Sequence, residues 1–139
     1  MNSMAIATQE SVMFPWLESY SVGIPAIDMQ HQVLIRLIND LYAAMSSGKG
    51  KEAVGKILDD LVKYTESHFS YEVRMLKQKG YSQLAGHQSV HVSLTRQVVE
   101  LRDRHRKSQA PMSVQVMLFL KGWLADHILV HDQAYAREI

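Results

Sequence analysis

Four stretches of this chain repeat apolar residues every three to four positions, and each repeat carries at least one histidine on its apolar stripe. A stripe of that period can be buried only by a helix that lays one face against a partner. Leu34, Leu37, Ile38, Leu41 and Met45, with His31 in register, predict a helix over about 27–46. Val54, Ile57, Leu58, Leu61, Tyr64, His68, Glu72, Met75 and Leu76 predict a second over about 51–78. His87, His91, Leu94, Val98 and Leu101 predict a third over about 83–107, and Val116, Leu120, Leu124 and His127 a fourth over about 112–138. No segment alternates in the manner of a strand.

The breaks between the stripes have their own chemistry. Ser46-Ser47-Gly48-Lys49-Gly50 is a cluster of turn residues, Gly80 suits a left-handed helix stop, Ser82 is placed to cap the next start, and Pro111 suits the first turn of the last helix. Short turns between long helices favour neighbours that run antiparallel. The expectation is an all-α, up-down-up-down antiparallel four-helix bundle with an N-terminal extended arm over 1–25, forming a single domain over 1–139.

Charge excludes some function classes. Fifteen Lys and Arg against 14 Asp and Glu leave +1, too little to draw nucleic acid or an acidic membrane. The basic run Arg102 to Lys107 is better placed to complement the negative end of the third helix than to bind phosphate. With no cysteine there is no disulfide and no thiolate ligand. Met1 to Pro15 holds no Lys or Arg and no long apolar run, so a cytoplasmic setting is expected, and no run approaches the ~18 apolar residues of a membrane span.

The polar residues on the stripes point to a metal. At ~1.5 Å per residue, counting each helix from its turn brings His31, His68, Glu72, His87, His91, His127 and Asp132 into one band roughly 14 Å deep. Imidazole and carboxylate in that mixture suit iron. Each alone has an ordinary reading: a lone His is commonly a hydrogen-bonded core residue, and a His pair four apart is common on helices. Their joint level carries the argument. His105, near the far end, reads as structural or solvent-facing, and the methionines with Phe69, Phe119 and Trp123 read first as core filler.

Asp132 is the awkward member. Five residues on an ideal helix turn about 140 degrees from His127, whereas His131 at the fourth position lies closer to the same face. Asp132 reaches the centre only if the helix widens locally to a π-turn; spacing alone favours His131.

Across nearly the whole chain the pattern Trp16, Tyr20-Ser21-Val22-Gly23-Ile24, Ile27-Asp28-Met29-Gln30-His31, His68-Phe69, Glu72, Met75, Gly80-Tyr81, His87, His91, Trp123-Leu124, His127-Ile128, Asp132 and Tyr135 resembles the hemerythrin family, in particular its bacterial members, the bacteriohemerythrins. Two departures stand out: Val73 follows Glu72 where many relatives carry a second acid, and the arm before Trp16 is long. The resemblance implies two iron ions per chain. His87, His91 and His127 would hold one, His31 and His68 the other, and Glu72 and Asp132 would bridge them beside an oxo or hydroxo bridge. The ion with two imidazoles would keep a position for dioxygen, in a pocket lined by Phe69, Trp123, Leu124 and Ile128.

The function so implied is reversible oxygen binding for storage, delivery or sensing, with an oxygen-consuming enzyme as recipient, and not catalysis. A di-iron oxidase or peroxidase, or a protein handling nitric oxide or peroxide, is the rival. The absence of any Glu-x-x-His sequence weighs against the ferritin-like oxidases. A metal-buffering helical module is a third reading, since zinc competes well for imidazole.

Overall fold

In the computed structural model, which describes residues 12–107 and 114–139, every regular element is helical. Helix α1 spans Pro25–Ser46, α2 Lys51–Lys79, α3 Leu84–Arg106 and α4 Val114–Asp126; a π-helical segment, His127–Asp132, then leads into α5, Gln133–Glu138. Residues 1–11 of the arm, and Pro111 with the expected start of the fourth helix at 112, lie outside the described residues. Helix α1 packs against α2 and α4, and α2 against α3. Trp123 closes the ring by donating its indole N–H to the Leu94 carbonyl at 3.1 Å, joining α4 to α3. The architecture is a four-helix bundle.

Local chemistry sets the ends. Pro25 occupies the first turn of α1, where its missing N–H would have had no helical acceptor. Asp28, one turn in, accepts the Ser21 hydroxyl at 2.6 Å and the Val22 N–H at 2.9 Å, fastening the arm to the helix start. Helix α2 stops at Gly80 with φ 68°, a conformation without penalty only for a residue lacking Cβ.

Ser82 does not cap α3. The helix begins after Gln83, and Ser82 instead donates its N–H at 2.9 Å and its hydroxyl at 2.5 Å to the Glu138 carboxylate. A full negative charge is the stronger acceptor, and the bond ties the C-terminal turn to the α2–α3 connection.

The arm docks as a strap. Phe14 is fully buried, its N–H donates to Asn39 Oδ1 at 2.9 Å, and Asn39 Nδ2 returns a bond to the Phe14 carbonyl at 2.8 Å. The main apolar cluster gathers Phe14, Leu34, Ile38, Leu41, Leu58, Leu61, Val98, Met117, Leu120 and Leu124 from all four rods. A smaller cluster of Leu76, Tyr81 and Tyr135 fills the other end. Phe119 is not core: Met117, Leu120 and Leu124 take the inward arc of α4 and leave it 45% exposed.

Beneath the main cluster, His105 is buried with Nε2 3.1 Å from the Lys51 carbonyl, and Arg106 pairs with Asp59 at 2.8 Å. The basic run therefore ties α3 to α2. Among the described residues no helix is long and apolar enough to cross a membrane.

Candidate metal centre

Between the two apolar clusters lies a layer of buried histidines and carboxylates. His31 comes from α1, His68 and Glu72 from α2, His87 and His91 from α3, and His127 and Asp132 from the two ends of the π segment, all seven buried. The π segment solves the register problem. Its wider turn brings the fifth residue back toward the first, so that Asp132 faces the same space as His127, and their closest atoms are 2.9 Å apart. His131, which ideal periodicity favours, sits half-buried at the wall of outer clefts with Asp126 and Val90.

Glu72 divides the imidazoles between its two oxygens. Glu72 Oε1 lies 2.7 Å from His87 Nε2, 2.8 Å from His91 Nε2 and 3.7 Å from His127 Nε2, while Oε2 lies 3.5 Å from His68 Nε2 and 4.0 Å from His31 Nε2. Asp132 does not repeat that division: its Oδ2 lies 2.7 Å from His31 Nε2 and 2.9 Å from His127 Nε2, and its Oδ1 3.5 Å from His87 Nε2. By proximity alone the donors fall into two overlapping sets: His31, His68, His127, Asp132 and Glu72, and Glu72, His87 and His91. Glu72 belongs to both.

Several of these contacts are close without being hydrogen bonds. His31 Nε2 and both Asp132 oxygens are buried with no hydrogen-bond partner among the described residues, although Asp132 Oδ2 is 2.7 Å from His31 Nε2. The lone pairs converge on shared space instead of aiming at one another's protons. Unpaired buried polar atoms are costly, and a cation at their focus removes the cost. The residues present fit metal ions.

Protonation agrees with that fit. Burial pushes His31 and His68 down to about 3, and holds His127 well below and His91 below the usual imidazole range. These rings are neutral donors. Burial alone would raise Glu72, but His127, His87, His91 and His68 around it outweigh burial and hold its carboxyl well below the usual range. Asp132 is pushed the other way, first by burial and then by the neighbouring Glu72 charge. A cation between the carboxylates would relieve that repulsion.

The surrounding wall is apolar. Phe69 stacks on His91 with centroids 3.8 Å apart and lies 5.0 Å from His127 and 5.6 Å from His68. Trp123, Leu124 and Ile128 are buried and belong to the main cluster. Two contacts were not legible in the sequence: Gln30 Oε1 lies 2.7 Å from His68 Nδ1, and Tyr135 donates its hydroxyl to Glu72 Oε2 at 3.0 Å. Both residues stand in the family pattern, and the further hint is position, with Gln30 adjoining His31 and Tyr135 one helical turn beyond Asp132.

A family profile described as "Hemerythrin HHE cation binding domain" matches residues 22–139. The chain belongs to the hemerythrin family. It is similar to a bacteriohemerythrin of Stenotrophomonas maltophilia (strain R551-3), 36% identical over 124 residues that cover 89% of this chain and 80% of that one. It is likewise similar to a bacteriohemerythrin of Pseudomonas aeruginosa (strain LESB58), 32% identical over 120 residues, 86% and 77% of the two chains. A crystal structure of wild-type hemerythrin superposes with a TM-score of 0.83 at 25% identity, covering 90% of this chain and 96% of that chain. Hemerythrins bind oxygen through iron, and the seven-residue layer is the candidate place for metal in this member.

Proposed function

We propose that this hemerythrin binds dioxygen reversibly at a di-iron centre and releases it unchanged. In this reading His87, His91 and His127 would hold one ion, His31 and His68 would hold the other, and Glu72 and Asp132 would be shared between the two. The observation that carries it is the partition at Glu72: Oε1 is the nearer oxygen to His87, His91 and His127, and Oε2 to His68 and His31. Three imidazoles on one side and two on the other leave the second ion short of a protein ligand, the mark of a site that takes an exogenous molecule.

Ferrous iron, when bound, would supply the redox chemistry that reversible oxygen binding requires. The protein's own work is to keep that binding reversible. Two carboxylates offset much of the cations' charge, which limits the cost of burying them. Phe69, Trp123, Leu124 and Ile128 exclude water, disfavouring escape of a charged oxygen species and hence oxidation of the iron. Among the described residues every titratable side chain in the layer belongs to the seven-residue set, apart from Tyr135, whose hydroxyl burial raises further. The reading is of a carrier that hands oxygen to an oxygen-consuming enzyme.

The test is reversibility together with stoichiometry. Protein loaded with ferrous iron under argon should carry two irons per chain, gain a visible absorption band in air and lose it under argon over repeated cycles. A colourless protein, or one passage to a stable ferric form, would overturn the reading.

A further inference from the structure

Of the imidazoles in the layer, His68 alone has a hydrogen-bond partner at Nδ1 among the described residues; Nδ1 of His31, His91 and His127 is buried and unpartnered. That partner is Gln30 Oε1 at 2.7 Å, on the neighbouring helix α1 and adjacent in sequence to His31. We infer that Gln30 is a positioning residue that locks His68 in the Nδ1–H tautomer, so that the Nε2 lone pair faces the metal layer. This rests on the proposed ligand role of His68 and deepens it.

The two ends of the ring decide the tautomer. A neutral imidazole carries one N–H, and that proton goes where the better acceptor is. At Nδ1 an amide oxygen waits at 2.7 Å, a short and well-formed distance. At Nε2 the nearest acceptors are His127 Nε2 at 3.4 Å and Glu72 Oε2 at 3.5 Å, both at or beyond the limit of a useful bond. The proton therefore sits on Nδ1, and the nitrogen that must be bare to bind a cation is bare before the cation arrives.

Placement explains why the amide matters on this side. Gln30 and His31 are consecutive on α1, so one dipeptide supplies an imidazole to the two-imidazole side and fixes the second imidazole of that side, His68 of α2. Being neutral, the amide orients the ring without adding charge. A carboxylate at the same position would also hold the proton on Nδ1, but would make His68 a more electron-rich ligand and favour the oxidised iron.

Nitrogen-15 correlation spectra of the histidine rings in the metal-free protein test the tautomer without iron or oxygen. Wild-type His68 should be Nδ1–H; finding it Nε2–H would overturn the inference whether or not any variant folds. Gln30→Leu should mix the tautomers and lower Zn2+ affinity, used as the probe metal, about ten- to a hundredfold at the weaker-bound equivalent. Gln30→Glu should restore both the tautomer and the Zn2+ affinity while lowering the midpoint potential of the iron-loaded protein. Gln32→Leu, the same change at an exposed neighbour, should alter none of these. A Gln30→Leu spectrum and affinity equal to wild type, or a Gln30→Glu potential that does not fall, would sink the assignment. Failure of the oxygen-binding proposal would appear in the air-and-argon cycle and leave the tautomer result standing.

Discussion

At the scale of single residues, the contrast between His131 and Asp132 shows how little an ideal spacing decides by itself. His131 is four residues beyond His127 and chemically the better match to its neighbours, yet it lies at the outer clefts while Asp132 enters the layer. His131→Ala should leave two irons per chain by elemental analysis. Asp132→Asn, which keeps the shape and removes the charge, should drop the count below two; equal counts in both variants would reverse the assignment. Replacing His31 or His68 with Ala should abolish reversible colour if, as proposed, these two hold the ion that takes the gas.

Tyr135 makes a finer point. Its hydroxyl is the one described side-chain donor outside the histidines that reaches Glu72, at 3.0 Å. Hydrogen bonds to charged groups contribute about 1.5–3 kcal/mol. Tyr135→Phe should lower unfolding stability by about that much in denaturant titrations while keeping two irons. The five histidines and Glu72 were legible because each sits on an apolar stripe, whereas Asp132 lies off the stripe of His127 and was expected only through the family resemblance. Gln30 and Tyr135 stand in the family pattern, but their partners were not legible, because hydrogen bonds between side chains 38 and 63 residues apart leave no periodicity to read.

At the scale of elements, the four rods follow from apolar period and turn chemistry, and Gly80 stops α2 in the conformation its lack of Cβ allows. Ser82 shows where local reading gives way: its expected cap is outcompeted by Glu138, a partner 56 residues distant. The π segment is the other case. Nothing in its composition announces a wider turn; only the demand that both His127 and Asp132 face inward does.

A π-turn is one residue more than an α-turn needs, and Leu129 and Val130, in its middle, are exposed at 43% and 58%. Deleting Val130 should convert it to a regular turn, since the remaining four-residue separation rotates only about 40 degrees on an α-helix. The shortened protein should bind two irons and melt no lower than the parent. Loss of metal on deletion would mean that the π geometry orients Asp132 in a way no α-turn can.

At the scale of the whole molecule, the polar layer divides the interior, and the large apolar cluster supplies the fold while the layer supplies the site. Leu58 is fully buried in that cluster, ten residues or about 15 Å along α2 from His68. Leu58→Ala should cost about 2–5 kcal/mol through the cavity it leaves, with the iron count unchanged.

The reverse experiment should not be so separable. Five imidazoles and two carboxylates from all four rods meet where several lone pairs have no partner, so the layer alone works against the apolar clusters on either side of it. Cations held by side chains from every rod convert that opposition into a cross-link, and binding confined to the folded chain stabilises it by mass action, about 4 kcal/mol when the ligand stands at a thousand times its dissociation constant. Removing iron with a chelator should therefore lower the melting temperature by on the order of 10 °C. The helical circular-dichroism signal below the transition should persist, because the main cluster does not depend on the layer. A melting temperature indifferent to chelation would mean that the seven side chains hold no ion strongly enough to matter to the fold.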